Sequence, residues 1–191
     1  PYLVTNKNDA GDDIAGIGIP NYGMTSVSST GFGLESDWNG ENPSGTDNMV
    51  AWTFKRQAKF FDVQHVVTST LSTTYPHNLG TTPGFIITKL STNTGGWNCY
   101  HSSLGNNRYI EMQDRATQQP ANAPSPTAYW GNITDSTFSF NGNMIGGTGQ
   151  NMIAYLFPDD EDYVKCGTYS GVTGDQTVTT TGMTPGWVLI K

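Results

Sequence analysis

Three histidines, two cysteines and two oxygen-rich runs are the groups in this chain whose types could do chemistry. His77 sits in Pro76-His77-Asn78-Leu79-Gly80, a turn ahead of a strand-like run, and the position one repeat later is Thr179, so a turn role is expected. His65 falls in a strand alternation and reads as a half-buried wall residue. His101 lies near Cys99, but no Asp or Glu lies close in sequence to orient it, and a Cys–His nucleophile needs such support. Cys99 and Cys166 lack CxxC spacing, which argues against structural zinc and a thioredoxin-like site. They read as buried free thiols or as a pair.

Asp159-Asp160-Glu161-Asp162 and the stretch Asn6 to Asp13 could offer hard oxygen ligands to Ca²⁺, yet neither matches the spaced D-x-[DN]-x-[DN]-G loop. One repeat earlier the acidic run is replaced by Lys55-Arg56-Gln57-Ala58, so a solvated loop is expected, and neighbouring repeats could meet basic against acidic. The remaining candidates are aromatic. Trp38, Trp97, Tyr100, Tyr129 and Trp130 lie in or beside loops rich in Asn, Ser and Gly, where a ring can stack on the apolar face of a sugar; packing in the core or between subunits is the plainer reading. The expected site is therefore a glycan contact through these rings, with no catalytic residue, no metal and no cofactor.

The elements that would position these residues are strands. Phe61, Val63, His65 and Val67 alternate onto one face, and GFIITKL and GWVLIK are short apolar runs after a Thr-Pro-Gly turn, as expected of buried central strands. Asn-Gly and Gly-Gly turn signals recur, and no segment sustains a 3.6-residue period with caps. The expected fold is all-β, an antiparallel sandwich or jelly roll.

The chain also repeats itself, a pattern that fixes architecture before any residue-level reading. NMVAWTF (Asn48 to Phe54) returns 103 residues later as NMIAYLF (Asn151 to Phe157), and TPGFIITK (Thr82 to Lys89) returns 102 residues later as TPGWVLIK (Thr184 to Lys191). PYLVTNKNDA at Pro1 more weakly matches RYIEMQDRAT at Arg108. The expected organisation is about two copies of a unit of roughly 100 residues, a typical domain size. Residues 1–54 read as the end of one repeat, 55–157 as a second, and 158–191 as the start of a third or a permuted completion of the first. On this reading the parent polypeptide continues beyond the sequence. Phe54, Phe61, Phe85, Tyr155, Phe157, Tyr163 and Trp187 are expected in the core, with Phe54/Phe157, Phe61/Tyr163 and Phe85/Trp187 in equivalent places.

Composition narrows the class. Charged residues are 13% of the chain, about half the roughly 25% usual for soluble domains. Uncharged polar residues take their place, as in secreted β-proteins and virion fibres. A net charge of −7 without a basic cluster disfavours nucleic acid. No apolar run approaches the roughly 20 residues of a membrane-spanning helix, so no membrane insertion is expected.

The ordered blocks A(W/Y)xF, FFDV, PHNLGTTPGFIITK, GWNCYHSSLG, YIEMQDRAT, AYWGN, AYLF, KCGTYSG and TPGWVLIK carry a family resemblance over roughly residues 48–191. They resemble a domain of unknown function that recurs, often in tandem, in tail-fibre-like and other structural proteins of marine and cyanobacterial phages. The resemblance implies a β-rich fold in a virion context and transfers no catalytic or ligand residue. The expected role is a non-enzymatic structural or adhesive module of a phage tail fibre or related appendage, in a virion or extracellular setting. Its expected partners are other virion subunits, copies of itself in a homo-oligomer, and host surface glycan. A secreted carbohydrate-binding or cell-surface adhesin is the alternative. A glycan-degrading tailspike would need two positioned carboxylates, and no acidic residue is retained across the repeat blocks.

Overall fold

A computed structural model describes residues 24–34, 53–91, 96–112, 119–120, 128–142, 146–179 and 182–191. The fold is all-β and sandwich-like: among the described residues there is no α-helix, and Ser102–Leu104 form a 3-10 turn. The strands are β1 (Met24–Val27), β2 (Phe32–Leu34), β3 (Asp62–Val67), β4 (Tyr75–Pro76), β5 (Pro83–Leu90), β6 (Asn98–His101), β7 (Arg108–Glu111), β8 (Gln119–Pro120), β9 (Thr137–Phe138) and β10 (Asn151–Pro158). Six of them form one sheet in the order β3-β10-β5-β6-β7-β8, while β1-β2 and β4-β9 pair separately.

The last strand, β10, fills a gap between β3 and β5. Leu156 stands opposite Asp62 on one side and Ile86 on the other, and Phe157 stands opposite Phe85. The central position of β5 in the sheet fits its reading as a continuous apolar run, since most of its residues are buried. Val66, Ile86, Leu90, Tyr100, Met152, Ala154 and Leu156 point from the sheet into the core. Tyr75, Leu79, Tyr129, Trp130, Phe138 and Phe140 form the opposing layer. Tyr75 stacks on Phe140 with centroids 5.0 Å apart, and Trp130 meets Tyr100 edge-on at 5.5 Å, geometries favoured by the ring quadrupole.

Glycine sets one of the close approaches between layers. A Cβ on Gly142 would lie 2.5 Å from the Ser69 carbonyl oxygen, which accounts for the Asn141-Gly142 turn signal.

Several expectations need correction. His65 is exposed, and the face of β3 turned to the core carries Asp62 and Val66 rather than Val63 and His65. As the edge strand, β3 is fixed by polar side chains next to the core. Thr68 donates to the Gly147 carbonyl at 2.7 Å and accepts from the Gln150 N–H at 2.9 Å.

The aromatic pairs do not share environments either. Phe61 is buried, but its mate Tyr163 is 63% exposed; Trp187 is 56% exposed where its mate Phe85 is half-buried. Phe54 is exposed and Phe157 half-buried. Residues 186–191, expected as a buried strand, are exposed and outside any strand. The physical reason is ladder hydrogen bonding: β5 has β10 and β6 beside it, and no described strand flanks residues 186–191.

Local geometry does recur. Gln57 and Phe61 exchange backbone hydrogen bonds of 2.9 and 3.0 Å, and Asp160 and Val164, 103 residues on, exchange bonds of 2.7 and 3.2 Å. Ser28 N–H donates to the Gly31 carbonyl at 2.8 Å, and Thr134 N–H to the Thr137 carbonyl at 2.8 Å. The hydroxyls of Ser28 and Thr134 each accept from the N–H two residues on, at 3.3 Å. Met24 pairs with Leu34 as Trp130 pairs with Phe140.

Candidate functional site

The two bridged turns, 57–61 and 160–164, lie side by side at one end of the large sheet. The chain enters β3 from the first and leaves β10 into the second. Residues one repeat apart touch across them: Phe54 packs edge-on against Phe157 at 6.1 Å, and Phe60 against Tyr163 at 6.3 Å. Lys59 Nζ lies 3.8 Å from Asp160 Oδ2, so the basic connector faces the acidic one. Lys59 holds a left-handed backbone (φ 62°), which costs a non-glycine residue energy. Its N–H donates to the Leu79 carbonyl at 2.8 Å. Gln57, Ala58, Lys59, Phe60, Leu79, Gly80 and Tyr163 line an open hollow of about 610 Å³.

The acidic run spends its carboxylates locally. Asp159 accepts from the Cys166 N–H at 3.1 Å and pairs with Lys165 at 3.1 Å; Asp160 accepts from the Asp162 N–H at 3.0 Å. Among the described residues no group of three His, Cys, Asp or Glu side chains could hold a metal ion. The stretch Asn6 to Asp13 lies outside the described residues.

Glycine tells the two Thr-Pro-Gly turns apart. A Cβ on Gly84 would lie 2.8 Å from Asp159 Cβ and 2.9 Å from Cys166 Sγ, so the bare backbone lets the 159–166 turn lie on the start of β5. Gly186, its copy, has open space around it. Beyond it Trp187, Val188, Leu189 and Ile190 are 56%, 60%, 42% and 64% exposed. Four consecutive exposed apolar side chains are unusual on a protein surface.

Asp62 anchors the first connector. Its buried carboxylate accepts from Arg56 Nε (2.6 Å), Gln64 Nε2 (2.7 Å), Asn78 N (2.7 Å) and Val63 N (2.9 Å). Burial alone pushes its pKa up, but the bonds from Asn78, Gln64, Arg56 and Val63 outweigh this and hold it below the ordinary carboxylate value.

The expected sugar-stacking rings lie elsewhere. Tyr129 and Trp130 are fully buried, Trp97 and Tyr100 nearly so, and none presents a ring face at the surface. This corrects the expectation for those four: the loop carrying Tyr129 and Trp130 is folded inward by the Trp130–Phe140 bridge. Trp38 lies outside the described residues.

His77 is buried in its turn. Its Nδ1 accepts from the Leu79 N–H at 3.3 Å, and its Nε2 bonds the Thr134 carbonyl at 3.2 Å. Burial pushes its pKa down despite the Thr134 carbonyl and nearby carboxylates. His101 Nδ1 caps the 3-10 turn by accepting from the Ser103 N–H at 3.2 Å. Cys99 and Cys166 are free thiols, and burial raises the pKa of both, Cys166 to about 12.

Sequence reasoning missed the Ser/Thr turns at 28–31 and 134–137. Their signal is S/T-x-S/T-x-F, legible as Ser28-x-Thr30-x-Phe32 and Thr134-x-Ser136-x-Phe138. The family model of a domain of unknown function (DUF7483) matches residues 2–191. No curated protein and no solved structure matches the chain.

Proposed function

We propose that this chain, which belongs to the DUF7483 family of domains of unknown function, is a structural and adhesive module of a phage tail fibre or related virion appendage. The observation that carries the reading is the run Trp187–Ile190. It copies a central strand of the sheet yet is exposed and outside any strand, as suits a module that completes itself against other polypeptide. The low charge density and the long uncharged polar surface support a protein that works outside the cytoplasm. His77, His101 and Asp62 are occupied by turns and caps, which supports a role in assembly rather than chemistry.

A secreted adhesin is the second reading. It is favoured by the open hollow beside Phe60 and the exposed ring of Tyr163, where an aromatic face and the polar groups of Gln57 and Lys59 lie together. Immunogold labelling with antibody to this domain separates the two. Label on the appendages of purified native particles is expected. Label confined to soluble secreted protein or to cell surfaces without particles supports the adhesin, and label in the cytoplasm alone overturns both.

A further inference from the structure

We infer that the turn His77–Gly80 is a proton-operated latch: at mildly acidic pH it lets go of the 134–137 turn and of Lys59, and so opens one wall of the hollow beside Phe60.

Four hydrogen bonds tie this turn to three other segments. The His77 N–H donates to the Ser136 carbonyl at 2.8 Å, and the His77 ring bonds the Thr134 carbonyl at 3.2 Å. The Asn78 N–H donates to the Asp62 carboxylate at 2.7 Å. The Leu79 carbonyl accepts the Lys59 N–H at 2.8 Å. One short turn thus joins the start of β3, the 57–61 turn and the Ser/Thr turn ahead of β9.

These partners fix the protonation state of the His77 ring. A carbonyl oxygen only accepts, so Nε2 carries the proton shared with Thr134. A backbone N–H only donates, so Nδ1, which takes the Leu79 N–H at 3.3 Å, is bare. His77 is 5% exposed, and its ring lies 6.4 Å from the buried Phe138 ring. A proton added to Nδ1 would point at the Leu79 N–H. That bond is then lost, and a cation is left among apolar side chains.

The charged groups around the ring do not offset this cost. Asp62, on β3, already accepts from four donors, Arg56 among them. Asp135, in the 134–137 turn, is exposed. Lys59 turns its ammonium to Asp160, 3.8 Å away, and Tyr75 gives its hydroxyl to the Val67 carbonyl at 2.9 Å. Burial outweighs the pull of Asp62 and Asp135 and holds the ring below its ordinary pKa. Above about pH 6.5 the ring is neutral whether the turn is closed or open, and the latch holds. Below that, the open turn takes up a proton that the closed turn refuses, so falling pH favours opening. Asp62 acts in a separate, more acidic range, because its pKa is held below the ordinary carboxylate value.

Strain at Lys59 biases the turn in the same direction. Its left-handed backbone (φ 62°) is held by the bond to Leu79, and release lets it relax. Leu79 and Gly80 line the hollow together with Lys59, Phe60 and Tyr163, so their movement reshapes it.

Amide hydrogen exchange of Lys59 and Leu79, corrected for the intrinsic effect of pH, reads the latch in the unmodified chain. A ring of ordinary pKa in the open turn lowers their protection by up to about 25-fold between pH 7 and pH 5. The expected result is a fall of about threefold or more that low urea leaves unchanged, since a local opening exposes little surface. A smaller fall overturns the inference. So does exchange of both amides at the rate and with the urea dependence of Ile153 and Tyr155 in β10, because the turn then opens only with the whole fold. His77→Asn keeps an acceptor for the Leu79 N–H but does not titrate, so protection should hold between the two pH values. The wild-type fall in that variant overturns the inference, as does its loss in His101→Asn, which alters the other turn-capping ring. Ring-nitrogen NMR of the unmodified chain needs no variant: a neutral Nε2–H form of His77 is expected at pH 7, and an Nδ1–H form or a charged ring overturns the inference. These results leave the proposed location in a virion untouched, since labelling of native particles tests that separately.

Discussion

Replacing Asp62 with Asn changes one oxygen into an NH₂ group inside a cage of donors. The carboxylate, 1% exposed, accepts from Arg56, Gln64, Val63 and Asn78. If the remaining oxygen keeps Arg56 and Val63, the new NH₂ faces Gln64 Nε2 and the Asn78 N–H. Gln64 can turn its amide to offer oxygen; the Asn78 backbone cannot. Hydrogen bonds to a charged group contribute about 1.5–3 kcal/mol each, and an orphaned buried donor costs about 1–3 kcal/mol. Losses in one cage overlap, so D62N is expected to lose about 2–4 kcal/mol of unfolding free energy at pH 7. Arg56→Ala removes only a half-exposed partner and is expected to cost under about 1 kcal/mol.

The pH dependence carries a sign. The folded-state pKa of Asp62 lies below its unfolded value, so its contribution is complete above the unfolded value of about 3.9 and is lost as pH falls through the folded one. Denaturant titrations of wild type and D62N at pH 7 and near pH 3 measure this. The gap between the two proteins should narrow at the lower pH. A gap below about 0.5 kcal/mol at pH 7, or one unchanged at low pH, refutes the reasoning.

Phe138→Ala removes a fully buried ring from the layer facing the sheet and should cost about 3–5 kcal/mol, read as a shift in denaturation midpoint. Gly142→Ala places a methyl group against the Ser69 carbonyl and should cost about 1–3 kcal/mol by the same titration; a neutral result would show that the turn can give way. Both thiols should resist alkylation at pH 8 in the native state, Cys99 completely and Cys166 slowly, because only the thiolate reacts and burial suppresses it. Rapid labelling of Cys99, detected by mass spectrometry, would contradict its placement between β5 and β7.

The strands that hold the sheet together are the easiest to read from sequence. Most residues of β5 and β10 are buried, so the unbroken apolar run after Thr-Pro-Gly marks β5, and the β-forming run after a Gly-rich stretch marks β10, without knowledge of their partners. β3 is harder, since alternation shows that two faces differ but not which one meets the core; the hydrogen bonds of Asp62 and Thr68 decide that, and both come from distant residues. Tyr129 and Trp130 read as surface residues because their neighbours look like loop residues. Their burial depends on Phe140 and Tyr100, contacts that no local pattern encodes. The candidate site is only half legible: the repeat of TPGFIITK is visible, but equivalent sequence does not mean equivalent burial. Trp187 shows why, since a strand is buried by its neighbours rather than by its own composition.

The central claim is that residues 186–191 are built to pair with other polypeptide, and molar mass in solution tests it most directly. Light scattering on the purified domain across the micromolar range should show mass rising above the 20.7 kDa of one chain, with Trp187→Asp holding the protein at that value. A constant monomer mass for the unmodified chain at every concentration, with residues 186–191 ordered by hydrogen exchange, would contradict the account.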